Sequence, residues 1–198
     1  MKIVVIKYNA GNIRSVQIAL ERQGIFPVIS DDPEVILSAD KIIFPGVGEA
    51  SSAMAYLTTR NLDRVIADAR QPFLGICLGM QLMCSHSEEN DTTCLGIFDE
   101  NVRKFSTQDK SIKIPQIGWN SIANLKSPLF EGIHENSYCY FVHSYFASIG
   151  KHTIAQTHYC GEYSAALHKN NFYGVQFHPE KSADVGASII NNFLKIPS

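Results

Sequence analysis

The first half of the chain alternates short apolar runs with amphipathic stretches. Lys2 to Ile6 is a continuous apolar run, the pattern of a strand buried on both faces of a parallel sheet. After the turn Tyr8-Asn9-Ala10-Gly11, Ile13, Val16 and Leu20 recur at helical spacing, predicting a helix over 12–23 that Gly24 ends. Asn12 reads as the cap of this helix, with ligand contact as the alternative. Ile25 to Ile29 reads as a second strand, and Asp32-Pro33 as an N-cap followed by proline at the first helical position. Lys41 to Phe44 reads as a third strand, running into the turn Pro45-Gly46-Val47-Gly48. Helical patterns follow at 51–59 and 62–69, then a strand at 72–76 and a helix from Leu78 to His86.

Helical periodicity fades from Leu95 to about Tyr173. Short β-type runs replace it at 102–105, 117–122, 138–149, 153–158 and 172–177. Turn residues separate them, which predicts hairpins and an antiparallel extension of the sheet. A last helix is expected at 183–195, with Ser182 as cap and Val185, Ile189 and Phe193 inward. The order of elements predicts an α/β fold: one doubly wound domain over 1–198, a mostly parallel central sheet, helices on both faces and an antiparallel β extension in the second half.

Composition narrows the function classes. The 198 residues are 45% hydrophobic and 18% charged, a globular balance, and the net charge of -2 offers nothing to nucleic acid or an anionic membrane. The N-terminal apolar run is too short for a signal peptide or a spanning helix, so a soluble, cytoplasmic protein is expected. Cys77, Cys84, Cys94, Cys139 and Cys160 have no regular spacing, as expected of reduced thiols, and the seven histidines form no zinc-ligand pattern. No metal or other cofactor is expected. Gly46-Val47-Gly48 lacks the third glycine of a dinucleotide fingerprint, and Glu49 would repel a pyrophosphate.

The chemistry concentrates at Gly75-Ile76-Cys77-Leu78-Gly79, the thiol version of a nucleophile elbow. A helix N-terminus at that point favours thiolate over thiol. The alternative is a cysteine acting as a small buried hydrophobe. A base and its orienting acid are available in Gly174-Val175-Gln176-Phe177-His178-Pro179-Glu180, where extended geometry would set His178 and Glu180 side by side. The plainer alternative makes them a strand-end histidine and a solvated charge.

These pieces occur together with Ala10-Gly11-Asn12-Ile13-Arg14-Ser15-Val16, Pro45-Gly46-Val47-Gly48, Leu74 to Leu82, Gly118-Trp119-Asn120, Tyr140 to Tyr145 and Asn171 to Ser182. In that order, end to end, the chain resembles the class I (triad-type) glutamine amidotransferases, and among them the glutaminase subunits of imidazole glycerol phosphate synthases. The resemblance implies that Cys77 attacks the side-chain amide of L-glutamine and forms a glutamyl thioester, with His178 as base and Glu180 orienting it. It implies an oxyanion hole at Leu78 and the Val47-Gly48 turn, and glutamine binding by Gln81, Glu89, His143, Ser144 and Tyr145. It also implies a heterodimer with a (β/α)8-barrel cyclase subunit, contacted by Asn12, Trp119, Tyr138, Tyr140 and Lys181. That cyclase would use the ammonia to make imidazole glycerol phosphate and AICAR in histidine biosynthesis. Lys7 and Gln116 depart from the family pattern, which more often has Asp and His there. Two other readings remain open: a paralogue supplying ammonia to another synthase, such as one amidinating a surface sugar, and a redox sensor on the same fold.

Overall fold

The computed structural model describes residues 1–9 and 11–197; Ala10, part of the first turn and of the first shared motif, lies outside the described residues. The N-terminal half contains β1 (Ile3–Ile6), α1 (Ile13–Glu21), β2 (Val28–Ser30), α2 (Pro33–Leu37), β3 (Lys41–Phe44), α3 (Ala50–Thr59), α4 (Leu62–Ala67), β4 (Phe73–Ile76) and α5 (Leu78–Leu82). Next come β5 (His86–Ser87), β6 (Thr92–Thr93), β7 (Asn101–Lys104), β8 (Gln116–Ile122), β9 (Ser137–His143) and β10 (Tyr145–Ala147). The chain closes with β11 (Thr153–His158), β12 (Glu162–Lys169), β13 (Phe172–Val175) and α6 (Ala183–Lys195).

The main sheet has the order β11-β12-β13-β4-β3-β1-β2. Strands β13, β4, β3, β1 and β2 run parallel, while β12 and β11 are antiparallel additions at one edge. Side chains alternate across it as the pleat requires. Ile3, Val5, Ile43, Leu74, Ile76 and Val175 face a core shared with Val16 and Leu20 of α1 and Ile189 and Phe193 of α6. Val4, Ile6, Ile42, Phe44 and Phe73 face the opposite core, closed by Ile36, Leu57, Ile66 and Met80 from α2 to α5. Helices therefore cover both faces, and the carboxyl ends of β3, β4 and β13 meet at one rim. No helix among the described residues is long and apolar enough to cross a membrane.

Several sequence expectations need correction. The helix after Cys77 ends at Leu82 rather than His86, because Leu95, Phe98 and Gly96 donate backbone N–H groups to the carbonyls of Leu82, Met83 and Cys84. A continued helix would need those acceptors. The run 138–149 is two strands in different sheets: β9 pairs with β8 by itself, while β10 joins β7, β5 and β6. Strand β12, Glu-Tyr-Ser-Ala-Ala-Leu-His-Lys, escaped the sequence reading because serine and alanine carry little strand propensity, although most of it is buried. Asn12 stands at the start of α1 with φ 77° and makes no side-chain cap, and Ser182 likewise does not cap α6. Instead, Ser182 Oγ donates to His178 O and accepts from Tyr140 N–H. Finally, Pro179–Lys181 is a single 3-10 turn, not extended chain, since Pro179 leaves the ladder and Lys181 N–H closes back on His178 O at 3.0 Å. Asp32 does cap α2, accepting from Glu34 N–H at 2.9 Å.

Candidate active site

Cys77 sits at the tip of β4 with φ 53° and ψ -110°, a conformation costing a non-glycine residue on the order of 1–3 kcal/mol. Neighbours hold it there: its N–H donates to Val175 O at 2.8 Å, and its carbonyl accepts from Gln81 N–H at 3.0 Å. The glycine on its helical side is sterically required, because a Cβ on Gly79 would lie 2.0 Å from Phe44 O. The elbow geometry therefore follows from local sequence and from the close approach of β3.

His178 follows β13, the strand beside β4. Its Nδ1 lies 2.7 Å from Glu180 Oε1, and both side chains are fully buried. The 3-10 turn produces the pairing that an extended segment was expected to give. Asn12 completes the group: its amide donates to Glu180 Oε1 and stands 3.3 Å from His178 Nδ1. The second ring nitrogen, Nε2, is buried without a hydrogen-bond partner among the described residues. Burial disfavours the imidazolium, but the negative charge of a Cys77 thiolate, followed by Glu180 bonded at Nδ1, outweighs that penalty and raises the His178 pKa. The site is arranged for a proton to pass from sulfur to imidazole.

Next to the thiol lies a cavity of about 180 Å³ lined by Val47, Gly48, Cys77, Leu78, Gln81, Glu89, Val142, His143, Ser144 and Tyr145. Every oxyanion and substrate residue expected from the sequence lines it. It is smaller than the roughly 300–1,000 Å³ of drug-sized ligand sites, a scale suited to one amino acid. Glu89 accepts from Ala50 N–H at 2.8 Å, yet burial, only partly offset by that bond, raises its carboxyl pKa. His143 is depressed to about 4, chiefly by burial, so the ring at the cavity wall is neutral near pH 7. Gln116 is buried, with its Oε1 2.7 Å from Tyr163 Oη, which in turn is 3.1 Å from His143 Nε2. Its departure from histidine thus falls behind the cavity wall. Lys7 is exposed and its N–H pairs with Ser30 O at 2.8 Å, well inside ordinary sheet geometry.

The turn after β3 has a definite orientation. Leu78 N–H points to Gly46 O at 3.4 Å, and Gly11 N–H donates to Val47 O at 2.8 Å. A trans peptide places C=O and N–H on opposite sides. With Gly46 O toward Leu78, Val47 N–H is directed away from that position. Tyr8 Oη fixes the start of the turn by donating to Pro45 O at 2.6 Å.

The residues expected at a partner face are grouped on one side of the molecule. Trp119 and Tyr138 on β8 and β9 are 53% and 60% exposed, unusual for large aromatic rings. Trp119 and Tyr140 meet edge to face at 6.1 Å, and Lys181 Nζ lies 5.9 Å from the Tyr140 ring. Asn12 turns its side chain to His178 and to Glu180, the residue before Lys181 in the same 3-10 turn. The remaining thiols are unpaired, and Cys84, Cys94 and Cys139 are buried away from the cavity lining.

Sequence reasoning missed Tyr8 and Gln176. The first is recognisable only through its contact with Pro45. The second lies just past the end of β13, two residues before His178, a spacing that was available in the sequence.

The model of class-I glutamine amidotransferases matches residues 11–196. The chain belongs to that family. Among curated relatives, the imidazole glycerol phosphate synthase subunit HisH of Bacteroides fragilis (strain YCH46) is 55% identical, covering 99% of this chain and 100% of the relative. The protein of the same name from Vibrio cholerae is 46% identical over 98% of both chains. Among solved structures, a putative GMP synthase protein from Thermoplasma acidophilum is 19% identical with a TM-score of 0.75, covering 98% of this chain and 92% of that one. PurLQS from Thermotoga maritima gives 18% and 0.71, covering 98% and 97%. At those identities the structures attest the amidotransferase fold alone.

Proposed function

We propose that this glutamine amidotransferase is the glutaminase subunit of an imidazole glycerol phosphate synthase, acting as a cytoplasmic heterodimer with a cyclase subunit of (β/α)8-barrel form. The observation that carries the chemistry is the buried Cys77, His178 and Glu180 group beside an amino-acid-sized cavity. Full-length relatives bearing the HisH name support the choice of pathway.

His178 takes the thiol proton, and Cys77 sulfur attacks the side-chain amide carbon of L-glutamine. The tetrahedral intermediate collapses as His178 protonates the departing nitrogen, leaving a glutamyl thioester and ammonia. His178 then deprotonates a water, which attacks the thioester carbon and releases glutamate and the thiol. Glu180 and Asn12 hold the ring for both transfers. Glu89 is short of a cation, and the substrate ammonium supplies one. Gln81 and the backbone of His143, Ser144 and Tyr145 hold the rest of the amino-acid end. The oxyanion needs Leu78 N–H free of Gly46 O, and Val47 N–H turned inward beside it. The observed turn is therefore the resting arrangement, and rotation of the Gly46–Val47 peptide activates it. Trp119, Tyr138, Tyr140 and Lys181 form the docking face for the cyclase, which takes up the ammonia.

A histidine auxotroph lacking only its glutaminase subunit tests this. Carrying this chain with its cognate cyclase, it is expected to grow without histidine at low ammonium. No growth, with both subunits present at normal level, would refute the pathway assignment.

A further inference from the structure

The thiol has a second neighbour besides His178. Gln176, wholly buried at the end of β13, has its Nε2 3.6 Å from Cys77 Sγ, within reach of a hydrogen bond to sulfur. Amide nitrogen and oxygen look alike by shape, so the direction of this contact must be argued from its neighbours. The Tyr145 carbonyl can only accept, and Gln81 faces it at 2.7 Å with its NH2 group. The other N–H of Gln81 then points at Gln176, 2.9 Å away, and the atom receiving it must be the Gln176 oxygen. That leaves the Gln176 NH2 group turned to the sulfur. A chain of bonds starting at a backbone carbonyl thus fixes a donor against the nucleophile.

From this we infer that Gln176 is a positioning residue for the Cys77 nucleophile: its carboxamide, oriented by Gln81, donates to the sulfur, holds its rotamer and favours the thiolate. A donor bonds more strongly to an anion than to a neutral thiol. The thiol has only a long contact of its own, to Val142 O at 3.9 Å. The inference rests on Cys77 being the nucleophile proposed above, and it adds a residue to which no role was assigned.

Three other titratable groups near the sulfur, Tyr8, Tyr163 and His143, keep one protonation state near pH 7. Tyr8 at the end of β1 and Tyr163 on β12 are both held protonated, chiefly by burial. His143 on β9 is held neutral, and Glu89 lies across the cavity. His178, with Glu180 behind it, is the partner that exchanges a proton with the thiol. Gln176 carries no charge at any pH, so its removal should move the thiolate equilibrium without adding a titration of its own.

The test is the pH dependence of iodoacetamide alkylation at Cys77, followed on its peptide by mass spectrometry. It uses the full chain alone, without glutamine or cyclase, so a wrong pathway or partner does not affect it. Gln176→Met keeps the bulk and removes the donor; its alkylation midpoint is expected about one pH unit above wild type, the scale of a hydrogen bond to a charged group. Gln176→Glu places an acid against the sulfur and should move the midpoint further up. Gln81→Met frees the Gln176 amide to turn and should give a smaller rise. Wild-type midpoints in folded Gln176→Met overturn the inference. Should that variant not fold, a wild-type midpoint in Gln176→Glu does the same.

Discussion

Cys77→Ala is expected to lower glutamate release by at least about 10⁴-fold, with cyclase and ligand present, while the protein stays folded and still binds its partner. Loss of a triad nucleophile has effects of this size, because the residues act as a unit. The large loss follows from the position of the thiol. It stands at the strand tip, beside the buried His178 and at the wall of the cavity, where no other cysteine lies. Retained folding follows from the backbone. The positive φ at Cys77 is held by its N–H donating to Val175 O and its carbonyl accepting from Gln81 N–H, and alanine keeps both. Glutamate release by purified complex, with a thermal melt of each variant, checks both halves. Turnover above about one per cent of wild type, or replacement of Cys84, Cys94, Cys139 or Cys160 proving equally severe, contradicts a single nucleophile.

The second large effect belongs to Val47→Pro. Proline has no N–H, so the variant lacks the donor that would turn inward on activation. Val47 is exposed, and glycine precedes it, so the ring meets little obstruction. One oxyanion donor is worth roughly 2.7–4 kcal/mol, or about 10²–10³ in rate. The variant should therefore lose about that factor in partner-stimulated activity and leave the unstimulated rate close to wild type, since Val47 N–H already points away at rest. Full stimulation in Val47→Pro would remove this peptide from the oxyanion hole.

How much of this was legible in the sequence depended on the distance over which each feature is decided. Strands β1, β3 and β4 are decided locally, as apolar runs buried throughout, and their limits were read to within a residue. Cys77 and His178-x-Glu180 were legible for the same reason: an elbow between glycines and an acid two residues from a base are short-range patterns. Features decided by distant partners were lost. Helix α5 stops because the chain at Leu95 to Phe98 claims its carbonyls. Asn12 looked like a cap because nothing nearby reveals a partner 168 positions away. Gln176 was hidden within a run that reads as strand, and its role emerges only where Gln81 and Tyr145 converge. The occupied state of Leu78 N–H is a matter of one peptide's orientation, which the residues at 45–48 permit in either sense.

A glutaminase that waits for a cyclase is tested most directly by glutamate release from L-glutamine. The rates to compare are those of the free chain, of its complex with the cyclase, and of that complex with a nucleotide ligand of the cyclase bound. The resting orientation of the Gly46–Val47 peptide predicts near silence for the free chain and a rise of at least about 10²-fold in the liganded complex. Equal rates in all three would contradict it.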